Sequence, residues 1–185
     1  MEKFARIIIG YHGCRQDFAE AILLGKTPIG EWQKSQNAYD WLGEGVYFWE
    51  HSPTRALRWA AENYGDQAAV VGALIQVGTC FDLLDETNAL LLAESYPQFE
   101  EYFLAAGKPL PVNRGTDKKL RELDCAVINE CLDRMAERNV SFDTVRGAFL
   151  EGPAIFPGTT LSAETHIQIA VRNVDCILGV FRPNL

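Results

Sequence analysis

Three polar residues stand at strand ends or glycine turns, where side chains are free for chemistry: His12, Tyr47 and Gln168. His12 precedes Gly13, so an imidazole and an unencumbered backbone could face the same ligand. Tyr47 belongs to Val46-Tyr47-Phe48, a run of strong strand preference just behind Gly43 and Gly45. Trp41, Tyr47, Trp49 and Trp59 crowd aromatic surface around this loop–strand–helix unit. Flat aromatic walls beside backbone amides suit a planar, amide-bearing ligand. On this stretch alone, a buried hairpin whose aromatics are core is the favoured reading. Gln168 sits in His166-Ile167-Gln168-Ile169, which alternates polar and apolar as a strand at a pocket edge would. Spacing permits the three residues to meet; it does not show that they do.

Other chemistries find less support. No GxSxG nucleophile motif is present, and Gly43-x-Gly45 runs into a strand instead of a helix, so it is neither a dinucleotide fingerprint nor a P-loop. Cys14 is set aside as a partner for His12 on the expectation that their side chains point to opposite faces of an extended chain. The five cysteines (Cys14, Cys80, Cys125, Cys131, Cys176) and three histidines show no zinc-type spacing, so no metal is expected. The cysteines read as reduced, mostly buried thiols of a cytoplasmic protein. Glu151 and Glu164 are candidates for a paired-carboxylate hydrolase, with nothing to set their separation. A net charge of −8 argues against broad binding to nucleic acid or an anionic membrane. No apolar run reaches membrane-spanning length.

The elements that must position these residues follow from hydrophobic period and turn chemistry. Ile7-Ile8-Ile9 is a strand ending at Gly10-Tyr11-His12-Gly13-Cys14, too short for a signal-peptide core. A helix follows from about Asp17 and stops at Gly25, and residues 27–39 form a surface loop. Ser52 caps and Pro53 opens a helix running to about Tyr64, with Gly65 past its end. Residues 68–77 are a second apolar strand. Residues 87–104 are helix-rich but interrupted by Pro97. Thr116 caps a longer helix whose stripe is Leu120, Leu123, Val127, Cys131 and Met135. Lys108, Arg114, Lys118, Lys119 and Arg121 cluster at its start and read as a solvated face. Strands return at 144–151, 166–171 and 176–181. The expectation is a single α+β domain over 1–185, with a helical insertion at 86–139 packed on the strands.

The series becomes specific when its blocks are taken in order. Tyr11-His12-Gly13 before a helix, and Leu42-Gly43-Glu44-Gly45-Val46-Tyr47-Phe48, are followed by Val71 to Gly78 with Phe81-Asp82-Leu83. The last block is Gln168-Ile169-Ala170-Val171-Arg172-Asn173-Val174-Asp175-Cys176-Ile177. Together they resemble the catalytic domain of the poly(ADP-ribose) polymerase-like ADP-ribosyltransferases, of the H-Y-[E/Q] type, over the first half and the last tenth of the chain. The resemblance implies a split antiparallel β-sheet with flanking helices that clamps NAD+ as co-substrate. By carry-over, Gly13 backbone groups hold the nicotinamide carboxamide, His12 binds a ribose hydroxyl and Tyr47 stacks on the ring. Gln168 stands where the polymerases have their catalytic glutamate.

Departures from the family pattern shape the expected activity. Gln168 carries no charge, so it cannot stabilise an oxocarbenium-like ribose as a carboxylate would, although it can still orient the sugar. Arg55 and Arg58 stand where a serine and a tyrosine are common, with Trp59 as the substitute stacking face. The resemblance therefore implies a bacterial-type mono-ADP-ribosyltransferase acting on a macromolecular acceptor, protein or nucleic acid. His166, two residues before Gln168, is the candidate to meet or deprotonate that acceptor, the alternative being an exposed strand residue. His12, Tyr47 and Gln168 are expected to line one cleft. By analogy with relatives such an enzyme suits a toxin with an antitoxin partner. The alternatives are an RNA 2′-phosphotransferase of the same fold, needing basic residues such as Arg55 and Arg58, and a non-catalytic NAD+ or ADP-ribose binding module.

Overall fold

The computed structural model describes residues 4–115 and 119–185. The expected cap Thr116, and Lys118 of the basic cluster, lie outside the described residues. The strands are β1 (Phe4–Arg15), β2 (Val46–Glu50), β3 (Ala68–Gly78), β4 (Cys80–Asp82), β5 (Thr144–Phe149), β6 (His166–Val171) and β7 (Ile177–Phe181). The helices are α1 (Gln16–Leu23), α2 (Pro53–Tyr64), α3 (Glu86–Ala105) and α4 (Glu122–Glu137). The strands form one sheet in the order β4-β5-β6-β2-β1-β3-β7. Every pairing is antiparallel except β4 with β5. The chain is thus a mixed α+β protein. No helix among the described residues is long and apolar enough to cross a membrane.

β1 is much longer than its isoleucine run suggests. Its pairing with β3 continues through His12↔Val71 and Gly13↔Val70 to Arg15↔Ala68, so His12 and Gly13 lie inside the strand. Gly10 is there for close packing: a Cβ would sit 2.7 Å from Ile75 and 2.8 Å from Phe48. The α2 boundaries follow the expectation, with Pro53 at its start and Gly65 at its end, but the Ser52 side chain makes no capping bond. α3 runs straight through Pro97. Its N-terminus is held by the Asp85 carboxylate, which accepts from the Thr87 N–H at 2.9 Å.

Helices cover both faces of the sheet. Phe48, Val71, Ile75 and Ile169 are sealed on one face beneath Ala19 and Ile22 of α1 and Trp32 of the 27–39 loop. On the other, Leu42, Phe81, Val145 and Ala170 meet Ile128, Cys131 and Leu132 of α4. Full burial of a side chain such as Phe48 or Phe81 contributes about 2 kcal/mol. The α4 stripe is close to expectation at Val127 and Cys131, but Leu120 precedes the helix and is exposed. On the α1 face Arg146 is locked between Glu50 at 2.6 Å and Asp82 at 3.0 Å. Those partners satisfy a guanidinium that burial would otherwise strand.

One irregularity positions the site. β1 and β2 share the pairs Gly10↔Glu50 and Tyr11↔Trp49. Beyond that rung β1 stays with β3, while β2 stays with β6 through Val46↔Val171. The sheet therefore forks at His12.

Candidate active site

The residues of interest gather at this fork. Tyr11, Trp49 and Gln168 are directly paired across β1, β2 and β6, so they form one rung. His12 is one residue from that rung and Tyr47 two. Their side chains do not share one face, however. Strand alternation puts Tyr47, Trp49 and Gln168 on the α2/α4 side and His12 with Phe48 on the α1 side. The His12 ring lies 5.0 Å from Trp32, 5.7 Å from Phe48 and 6.1 Å from Phe18, centre to centre. The three therefore do not line the one common cleft expected of them: the pleat has period two, and one step from His12 to the rung reverses the side.

His12 is tied to Tyr47 nonetheless, through backbone. Its Nδ1–H donates to the Tyr47 carbonyl at 2.8 Å, taking the place of a ladder bond where the strands part. The aromatic surround disfavours a charged ring and lowers the His12 pKa to about 4, with the carbonyl bond opposing in part. Cys14 belongs to the same core cluster as Phe48 and Val71, so it shares the His12 face, contrary to expectation: residues two apart on a strand point the same way. Burial, with Asp17 nearby, pushes its thiol up to about 12, which leaves it inert.

Tyr47 serves the glycine loop. Its hydroxyl accepts from the Leu42 N–H at 2.8 Å and donates to the Gly43 carbonyl at 2.6 Å. Burial raises its pKa well above the usual phenol value. Gly43 takes φ +76°, and a Cβ there would strike the Asn129 side chain of α4. The Asn129 Oδ1 in turn accepts from the Glu44 N–H at 3.0 Å. This anchor lies on α4, and no motif pointed to it.

The expected ring pocket is occupied by its own walls. The Ala56 carbonyl of α2 lies over Gly13, 2.5 Å from where a Cβ would be, and the Trp59 ring comes within 3.1 Å of the same point. Trp59 packs on Trp49 at 5.8 Å and on Tyr64 at 5.9 Å. Arg55 reaches across to Glu151 at 2.5 Å, and Arg58 to Glu164 at 2.6 Å. Each carboxylate of the candidate hydrolase pair is thus held by an arginine. Among the described residues four buried polar atoms have no hydrogen-bond partner: Trp49 Nε1, Arg55 Nε, Arg121 Nε and Glu151 Oε1, with Lys119 Nζ 3.6 Å from the last.

Gln168 and His166 are in contact, Nε2 to Nε2, at 3.0 Å. The His166 Nδ1 meets the Glu164 carbonyl at 2.8 Å. The ring is roofed by Trp41 and Phe149, at 5.9 and 5.8 Å, with the Arg121 guanidinium lying 4.2 Å above Trp41. Its side chain is 2% exposed. Burial lowers the His166 pKa, opposed by the Glu164 bond and reinforced by Arg55. With both nitrogens engaged under an aromatic roof, His166 is buried, so it is not the exposed strand residue of the alternative reading.

Among the described residues no group of three or more His, Cys, Asp or Glu side chains could hold a metal ion. No family model, no curated protein and no solved structure matches the chain.

Proposed function

We propose that the chain is an NAD+-dependent mono-ADP-ribosyltransferase. The observation that carries this reading is the fork. His12, Tyr47 and Gln168, remote in sequence, lie within two residues of the single rung Tyr11–Trp49–Gln168, on three adjacent strands, where the sheet opens. In this reading the nicotinamide–ribose C–N bond breaks, and nicotinamide leaves with the bonding electron pair. The acceptor's nucleophile then attacks the anomeric carbon and gives up its proton to solvent. Gln168 accepts a hydrogen bond from a ribose hydroxyl and fixes the sugar, so catalysis rests on positioning. His12 and Gln168 flank β2 from opposite faces, so the dinucleotide must bend around the start of that strand.

A second reading, an NAD+-binding module without turnover, is favoured by one specific feature. Trp49, Trp59 and the Arg55–Glu151 pair fill the place the nicotinamide would take, so the ring must displace them to enter. An RNA 2′-phosphotransferase is less well supported, because Arg55 and Arg58, its expected phosphate ligands, are both committed to carboxylates.

Incubation of the protein with NAD+ labelled in the adenylate moiety and a cell extract tests the proposal. Label on a macromolecule, lost in Gln168→Ala, is the expected result. Calorimetric NAD+ binding without label transfer would establish the binding module instead.

A further inference from the structure

The contact between Gln168 and His166 joins two nitrogens, and that fixes more than their proximity. An amide –NH2 only donates, so the ring Nε2 must accept, which makes His166 neutral with its proton on Nδ1. That proton has an acceptor in place, the Glu164 carbonyl 2.8 Å away. The two contacts are mutually consistent and define one tautomer. With its –NH2 committed to His166, Gln168 turns Oε1 the other way. Among the described residues Oε1 has no protein partner, and it is not among the atoms sealed from solvent without one.

We propose that His166 is a positioning residue that sets the polarity of Gln168: neutral, it turns the amide oxygen outward to accept from a ribose hydroxyl, and protonated, it reverses the amide. Once Nε2 carries a proton it can donate only to Oε1, and the amide must rotate by half a turn to offer –NH2 outward. The assignment of a ribose rests on the transferase reading above; the tautomer and the reversal do not.

The polarity matters chemically. An acceptor draws the hydroxyl proton away from the sugar and leaves its oxygen richer in electron density beside a developing positive charge. A donor does the opposite. The groups facing His166 set where the reversal falls. Arg55 from α2 opposes protonation, whereas Glu164 and Glu151, the latter 3.7 Å from Nδ1, favour it. Trp41 and Phe149 exclude water, Arg121 lies over both rings, and Lys119 pairs with Glu151. Burial outweighs the carboxylates, so the reversal belongs on the acid side of the ordinary histidine range.

The test uses the full chain, labelled with 15N, titrated by NMR from about pH 8 to pH 4.5 across the histidine range. The Gln168 –NH2 signals are assigned by their loss in Gln168→Ala. The expected result is an Nδ1–H tautomer for His166 and a Gln168 –NH2 shift that follows the His166 inflection. An Nε2–H tautomer, or a Gln168 amide that ignores that titration, overturns the proposal. Transfer kinetics supply a second arm. In the wild-type protein kcat should fall below the inflection with KM for NAD+ changing less. His166→Gln, which keeps an acceptor but cannot titrate, should lose that acid limb. His166→Lys, donor only, should cut kcat about 10- to 1000-fold across the pH range. An acid limb that persists unchanged in His166→Gln overturns the assignment. No transfer by wild-type protein, with the NMR coupling present, removes the transferase reading and leaves the pair standing.

Discussion

The Nδ1 of His12 lies 2.8 Å from the main-chain oxygen of Tyr47, although the two side chains project from opposite faces of the sheet. The imidazole bridges the fork between β1 and β2 at the point where backbone pairing stops. Two residues that a motif places together are therefore joined by strand pairing and one side-chain bond, without a shared pocket. His12 holds the opening while its ring remains on the aromatic side.

Acid should weaken the fold through His12. Its folded pKa near 4 lies below the unfolded value of 6.5, so the unfolded chain binds a proton first as pH falls. Stability is complete above about pH 6.5 and declines towards pH 4, by at most about 1.4 kcal/mol per pH unit for this one group. Urea midpoints at neutral and mildly acid pH should show the decline, and His12→Phe should reduce its slope. An identical slope in a folded His12→Phe variant would assign the effect to other groups, His166 first among them.

Tyr47 should show separable structural and ligand roles. Tyr47→Phe deletes both hydroxyl bonds to the glycine loop and leaves the Leu42 N–H and Gly43 carbonyl short of a partner. A loss of about 1–3 kcal/mol in denaturant unfolding is expected. Tyr47→Ala should in addition weaken NAD+ binding by about 1–3 kcal/mol, the scale of a lost aromatic wall. Calorimetry that finds equal affinity in folded Tyr47→Ala would remove the stacking role.

Arg55→Ala should be costly for a reason unrelated to chemistry. It leaves Glu151, a carboxylate with 6% of its side chain exposed, without Arg55 and beside Lys119 Nζ at 3.6 Å and the His166 ring at 3.7 Å. Breaking a buried pair in this way costs about 3–5 kcal/mol, whereas replacing both partners by apolar residues is often close to neutral. The double variant Arg55→Met/Glu151→Leu should therefore melt well above Arg55→Ala. A double variant no more stable than the single one would show that the ion pair is not what holds α2 to the β5–β6 connection.

In the transferase reading, Gln168 should decide what kind of catalyst the site makes. Gln168→Ala should cut label transfer by about 10- to 1000-fold, as expected for losing an orienting hydrogen bond near a developing charge. Gln168→Glu should raise NAD+ hydrolysis, because a carboxylate stabilises the oxocarbenium-like state better than an amide. Intact mass of modified acceptor should show one ADP-ribose per site. Ladders on a single site would point to a carboxylate other than residue 168.

The sequence by itself determined the mixed α+β class, the identity of most strands, and the ends of α2, because these rest on local period and turn chemistry. It marked Pro53 and Gly65 correctly since each acts on its own backbone. What it could not determine was side and partner. Whether His12 meets Tyr47 depends on the length of β1, which its pairing with β3 extends to Arg15 far beyond the isoleucines. Pro97 looked like a breaker, yet the 20-residue α3 continues through it, so a local breaker signal did not decide the helix's extent. Glu151, Arg55, Trp41, Phe149 and Arg121 surround His166 from separate parts of the chain, and long-range ion pairs and ring contacts carry no sequence period. Gly43 and Gly45 were legible as a loop leading into a strand. That Asn129 of a distant helix fills the space beside Gly43 was decided only by tertiary packing, because nothing in either segment encodes the approach of the other.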